Sequence, residues 1–150
     1  MKLYRGFGHP IENGTVENTL RKTGRTPVHT PTELHEAADA WFYAELGVKA
    51  RSTCVFCSPD IALAYEYTRA KEGAVEAEII PEGEFALIFS EDVQDFFSDS
   101  DDDECDAISI GAWLSQKNYV KVHSLNDIPA GFTGEVMLDC ARYTIVKVGQ

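Results

Sequence analysis

Glu135 is the side chain whose surroundings most clearly suit chemistry. It stands directly ahead of Val136, Met137 and Leu138, in a stretch (132–148) where two apolar, β-branched runs flank a polar corner at 139–142. On a strand, positions 135, 137 and 139 share one face and 136, 138 and 140 the other, so the carboxylate projects opposite the face that Val136 and Leu138 bury. Held that way it is rigid and can border a cleft. Arg21, Lys22 and Arg25 form a small basic patch, either a solvated loop or a loop that meets phosphates. Cys54 and Cys57 make a CxxC, and Cys105, Cys140 and four histidines add zinc-type ligands. Residues three apart on a strand point to opposite faces, however, and there is no second CxxC, so no metal is expected. His9 reads as a turn or surface residue, or as a substrate contact. The run 99–106 matches calcium loops in composition but not in spacing. The sequence contains no P-loop, GxGxxG or HExxH.

The elements that must position these groups follow from pattern. Residues 2–7 read as a short strand carrying Arg5, and 8–27 as a polar segment with a turn at Asn13 and Gly14. Thr30, Pro31, Thr32 and Glu33 form a capping-box sequence. Leu34, Ala37, Ala38, Trp41 and Phe42 then recur at helical spacing until Gly47 stops the helix. Trp41 and Phe42 read as core anchors, with stacking on a ligand ring as the alternative. Residues 50–58 predict a strand, and Ser58 and Pro59 the start of a helix through Ile61, Ala62, Tyr65 and Arg69 to Gly73. Residues 74–80 and 85–89 predict two strands broken at 81–83. A helix over about 107–118 is capped by Asp106, a strand begins at 120–122, and a turn at 126–131 delivers the chain into a closing hairpin or bent strand pair. About six strands and three helices make one α+β domain over 1–150.

At 150 residues the chain can bury an ordinary core without staples. Its start, Met1-Lys2-Leu3-Tyr4-Arg5-Gly6, has no apolar signal core, and no run reaches membrane-span length, so a soluble cytoplasmic protein is expected. The net charge is −12, and nine acidic residues with no Lys or Arg lie between Glu91 and Asp106. An acidic insert at about 91–106 repels phosphate backbones, which argues against direct nucleic-acid binding and leaves open a basic partner or a nucleic-acid mimic. Phe96 and Phe97 within it predict that part of the insert touches the body.

Three separated segments resemble NAD-dependent ADP-ribosyltransferases of the arginine-serine-glutamate type. Leu3-Tyr4-Arg5-Gly6 is similar to the family's first-strand motif, and Phe56-Cys57-Ser58 with Ala62 and Tyr65 to its strand-to-helix serine motif. Gly134-Glu135-Val136-Met137-Leu138, followed by Arg142-Tyr143-Thr144-Ile145-Val146, is similar to its glutamate motif. Ser52 and Thr53 are a competing alignment for the serine. The Ser-Thr-Ser triplet is absent, and Thr133 stands where arginine-modifying members carry a second glutamate.

The resemblance implies a compact fold of two packed sheets with NAD as co-substrate and no metal. Arg5, Gly6, Ser58 and Tyr65 would bind NAD, Arg5 at the phosphates and ribose and Gly6 by its backbone at the nicotinamide amide. Ser58 would brace Glu135, which stabilises the positive charge on the ribosyl carbon as nicotinamide leaves. The implied reaction moves ADP-ribose to a macromolecule, a protein with a basic surface, as an intracellular effector, toxin or phage-encoded host modifier would. The alternative is a non-enzymatic acidic binding protein or nucleic-acid mimic that blocks a basic partner.

Overall fold

Six antiparallel strands form one sheet in the computed structural model, which describes residues 1–68 and 71–149. The strands are β1 (Leu3–Phe7), β2 (Gly14–Glu17), β3 (Val55–Cys57), β4 (Val75–Phe89), β5 (Val120–Val122) and β6 (Val136–Lys147). Their order is β1-β4-β6-β2, with β3 on the start of β6 and β5 on the end of β4. The helices among the described residues are α1 (Leu20–Thr23), α2 (Thr32–Leu46), α3 (Ala50–Thr53), α4 (Ile61–Glu66), α5 (Phe96–Asp102) and α6 (Ile110–Ser115).

The long β4–β6 pair is the frame. Its register shifts between Glu82 and Phe85, opposite Arg142 and Cys140, so the polar corner read from the sequence is an irregularity within one strand and not a hairpin. Likewise β4 runs straight through the Pro81-Glu82-Gly83 break. Gly83, with φ 71°, supplies the positive dihedral there. Pro81 is tolerated because β4's other edge pairs with β1 only up to Ile79 and with β5 only from Leu87, leaving no partner for the missing N–H.

Both faces of the sheet are covered. Val136, Leu138 and Cys140 join Leu3, Val55, Cys57, Ile79 and Leu87 in one core, while Met137 and Ile88 join Phe42, Cys54, Phe96, Ile110 and Leu114 in another beneath α2, α5 and α6. Strand alternation explains the division, and it separates Cys54 from Cys57. Trp41 packs against the second core and donates from Nε1 to Ser115 Oγ at 2.9 Å.

Several expectations are corrected. Among the described residues, one sheet replaces the two packed sheets, and six α-helices replace three. The expected 50–58 strand is α3 followed by β3, because Asp39 Oδ1 accepts from the amides of Arg51 (2.9 Å) and Ser52 (3.1 Å) and winds that turn. The Thr30 capping box does not form: α2 begins after Pro31 with no side-chain cap, though Gly47 ends it in the left-handed conformation as expected. Asp60, not Ser58, caps α4, and the helix ends at Glu66; the Arg69 portion of that expectation lies outside the described residues. The α6 helix itself starts only after Ser109, which makes no side-chain cap bond, while Asp106 Oδ1 accepts from the Ile108 and Ser109 amides and so caps the turn that leads into it. Gly14–Glu17 is a strand where a turn was expected. Among the described residues no helix is long and apolar enough to cross a membrane.

Candidate active site

Glu135 enters the site one residue before β6. Its amide donates to the Gln94 carbonyl at 2.8 Å, which ties the entry to the acidic segment. Gly134 permits that approach, since a Cβ there would lie 2.7 Å from the Phe132 ring and 3.0 Å from the Val93 carbonyl. The carboxylate is 5% exposed. Its Oε1 accepts from Arg51 Nη1 at 2.8 Å and from the Phe96 amide at 3.4 Å. Among the described residues neither bond falls on Oε2, which leaves that oxygen for the cavity that Glu135 lines. Arg51 also donates to Met137 Sδ at 3.3 Å, so positions 135 and 137 do share a face.

Two more guanidinium groups line the same cavity, whose volume is about 390 Å³ and within the range of small-ligand sites. Arg5 donates to the Phe56 carbonyl at 2.8 Å. Arg25 donates to the carbonyls of Arg51 (2.6 Å) and Cys54 (2.7 Å). The Phe56 ring carries both Arg25 and Arg51, with guanidinium carbons 3.6 and 4.1 Å from its centroid. Neutral carbonyls and a ring hold Arg5 and Arg25 in place without cancelling their charge. Phe97, Tyr67, His35 and Asp95 complete much of the wall.

The electrostatics are those of charges confined together. Burial, then Arg5 and Arg51, pushes the Arg25 guanidinium down to about 9, which still leaves it charged at neutral pH. Burial raises the Glu135 carboxyl, and Arg51 opposes that rise. The Tyr67 phenol is also raised, by burial first and then by Glu135. Its hydroxyl is buried and has no hydrogen-bond partner among the described residues, at the wall of the cavity.

Of the residues read from the sequence, Arg5 and Glu135 meet at this cavity and Ser58 does not touch the carboxylate. Ser58 Oγ donates to the Thr133 carbonyl at 3.2 Å and accepts from the Asp60 amide at 3.0 Å, so it fixes the backbone two residues upstream of Glu135. Arg51 is the side chain that braces the carboxylate itself. Tyr65 is half exposed and lines no part of the cavity, where Tyr67 stands instead. His9 lies outside it too, exposed beside Phe7.

Gly6 packs where a Cβ would lie 2.3 Å from the Ala64 carbonyl, so α4 demands a glycine there. Tyr4 exchanges both backbone bonds with Ser58, at 2.8 and 2.9 Å, and strand alternation therefore turns the amide and carbonyl of Gly6 to that same side, away from β4. They face the gap between β1 and β3 that the Arg5–Phe56 bond spans.

Ser52, the competing serine, donates to Asp39 Oδ2 and lies 3.2 Å from His35 Nε2. The basic patch divides. Arg21 pairs with Asp139 at 2.9 Å, while Arg25 turns into the cavity. The acidic insert contributes a wall: Asp95 caps α5 by accepting from the Ser98 amide, Phe96 is buried and Phe97 lines the cavity.

Arg51, Tyr67, Asp95 and His35 were missed. The only signal for them was their type, with no spacing to tie them together. Among the described residues no group of three or more His, Cys, Asp or Glu is placed to hold a metal. No family model matches the sequence, and neither a curated protein nor a solved structure matches the chain.

Proposed function

We propose that the protein is an NAD-dependent ADP-ribosyltransferase whose reaction takes place at the Glu135 cavity. The observation that carries this reading is the meeting of Glu135 with three guanidinium groups, from four places in the sequence, around one cavity. NAD supplies the reactive bond, an N-glycosidic link whose cleavage builds positive charge on the ribosyl carbon. Glu135 Oε2 is the negative atom available to that charge, and burial in a dry wall strengthens its effect. Arg5 and Arg25 are positioned for pyrophosphate oxygens, since their present partners are neutral carbonyls. Gly6 offers one backbone donor and one acceptor, the pattern that a primary carboxamide matches. Tyr67 offers a buried hydroxyl in need of a partner. Arg51 orients the carboxylate and favours its ionised form against the effect of burial.

The ADP-ribose acceptor in this reading is a protein with a basic surface. Asp101, Asp102, Asp103 and Glu104 are exposed at and just beyond the end of α5, the helix that starts at the cavity wall.

Incubation with NAD⁺ labelled in the adenine half, alone and with cell lysate, tests the reading. Wild type releases nicotinamide and Glu135→Gln loses about 10²-fold or more of that rate. If wild type leaves NAD⁺ intact and NAD⁺ does not raise its melting temperature, the reading is refuted.

A further inference from the structure

The cavity contains a second chemical group placed by a network of its own. Asp39 and Ser52 fix the state of His35 by donor counting. A carboxylate only accepts, so the hydroxyl hydrogen of Ser52 goes to Asp39 Oδ2. Ser52 Oγ then has only lone pairs left for His35 Nε2, 3.2 Å away, and that nitrogen must carry the proton. The other ring nitrogen, Nδ1, is left as a bare acceptor, and among the described residues it has no hydrogen-bond partner. His35 is 7% exposed and lines the Glu135 cavity, so its open side belongs to the site.

The order of this trio matters. In a nucleophilic triad the histidine lies between serine and carboxylate and takes the serine proton. Here the serine lies between, its proton is committed to Asp39, and the reactive atom of the trio is the imidazole. Asp39 also holds the Arg51 and Ser52 amides, so the turn that presents Arg51 to Glu135 also orients His35.

We infer that His35 is the general base of this site, accepting at Nδ1 the proton of the hydroxyl or water that attacks the ribosyl carbon. This rests on the transferase reading above. The bond from ribose carbon to nicotinamide nitrogen breaks with its electron pair on the leaving nicotinamide. A lone pair of the acceptor oxygen forms the new carbon–oxygen bond, and the proton of that oxygen passes to Nδ1 and then to solvent. The acceptor class is accordingly a neutral hydroxyl or water, which must lose a proton on attack. The groups facing the imidazole favour its neutral form. Burial lowers its basicity below the usual histidine range, Asp39 opposes this, Arg51 from α3 and Arg25 from the preceding loop add to it, and Glu36 on the same helix opposes it weakly. Asp95 and Glu135 line the same cavity.

The probe is NAD⁺ itself, with water or added methanol as acceptor, scored as ADP-ribose and methyl ADP-riboside. His35→Gln keeps an amide donor for Ser52 Oγ but has no base. The wild-type rate falls only at acid pH, below the ordinary histidine value, where the buried imidazole protonates. The His35→Gln rate is lower by about 10²-fold at neutral pH and flat across that range. Imidazole restores turnover to His35→Ala, and NAD⁺ raises the melting temperature of both variants as it does for wild type. If wild type turns over NAD⁺ and Glu135→Gln does not, yet His35→Gln keeps the wild-type rate and pH profile, the general-base assignment is overturned while the transferase reading stands. A loss in His35→Ala that imidazole does not restore, with a depressed melting temperature, also overturns it in favour of a structural role. If wild type itself leaves NAD⁺ untouched and NAD⁺ does not raise its melting temperature, the transferase reading fails, and this assignment with it.

Discussion

Replacing Arg51 by methionine isolates the charge that the site depends on. The guanidinium carbon lies 4.1 Å from the Phe56 centroid and 4.4 Å from that of Phe96, and an apolar chain of similar length keeps most of that packing. What it removes is the 2.8 Å ion pair to a carboxylate that is 5% exposed. Breaking a buried pair from one side costs about 3–5 kcal/mol, because the remaining charge stays buried. For a chain of this size that is a fall of about 10 °C in melting temperature. The cost depends on pH with a definite sign. The Glu135 carboxyl is already raised above its ordinary value of 4.5 by burial, with Arg51 opposing. A raised carboxyl contributes its stability below the unfolded value and loses it as the pH rises through the folded one. Without Arg51 the folded value rises further and the loss extends to higher pH. Urea unfolding of wild type and Arg51→Met should therefore show a gap that widens from pH 5 to pH 8. Adding Glu135→Gln to Arg51→Met should close most of that gap. A gap independent of pH, or one that Glu135→Gln leaves unchanged, would refute the reasoning.

Gly6→Ala places a Cβ 2.3 Å from the Ala64 carbonyl and 2.6 Å from Thr68 Cγ2, so α4 must move off β1; thermal melting should show a loss of about 1–3 kcal/mol. NAD⁺ turnover in that variant should fall further than in a control of equal stability, because the same shift disturbs the gap beside Arg5. Changing Asp101, Asp102 and Asp103 to asparagine should leave nicotinamide release from NAD⁺ with water as acceptor unchanged, because these side chains are exposed and none lines the cavity. The same triple variant should lose labelling of a basic protein target. Should nicotinamide release collapse with it, the acidic segment does more than select the target.

How far the site is legible in the sequence depends on what kind of force places each residue. Glu135 and Arg5 are legible because strand alternation assigns a side chain to a face from its position alone, and both sit on or beside strands that the pattern identifies. Arg51 is not legible. Its turn is wound by the Asp39 carboxylate twelve residues upstream, and a capping contact of that kind leaves no periodic trace, so Ala50–Thr53 reads as the start of a strand. The same contact misleads the serine reading, since it commits Ser52 to Asp39 and leaves Ser58 bonded to backbone. The hairpin reading fails for a related reason: the irregularity between Glu82 and Phe85 shifts the register of a continuous pair where composition alone suggests an end.

The acidic run is the instructive case, because its charges read as solvent-facing while Phe96 and Phe97 decide where it lies. One ring enters the core and the other the cavity, carrying Asp95 to the wall and the Phe96 amide to Glu135. A chain of net charge −12 thereby gathers three guanidiniums around one cavity. Added salt screens the long-range repulsion between the acidic surface and an anionic ligand more than it screens contacts within the cavity. On that argument the on-rate for NAD⁺ should rise with modest ionic strength, opposite to the fall expected of a protein whose whole surface attracts phosphate.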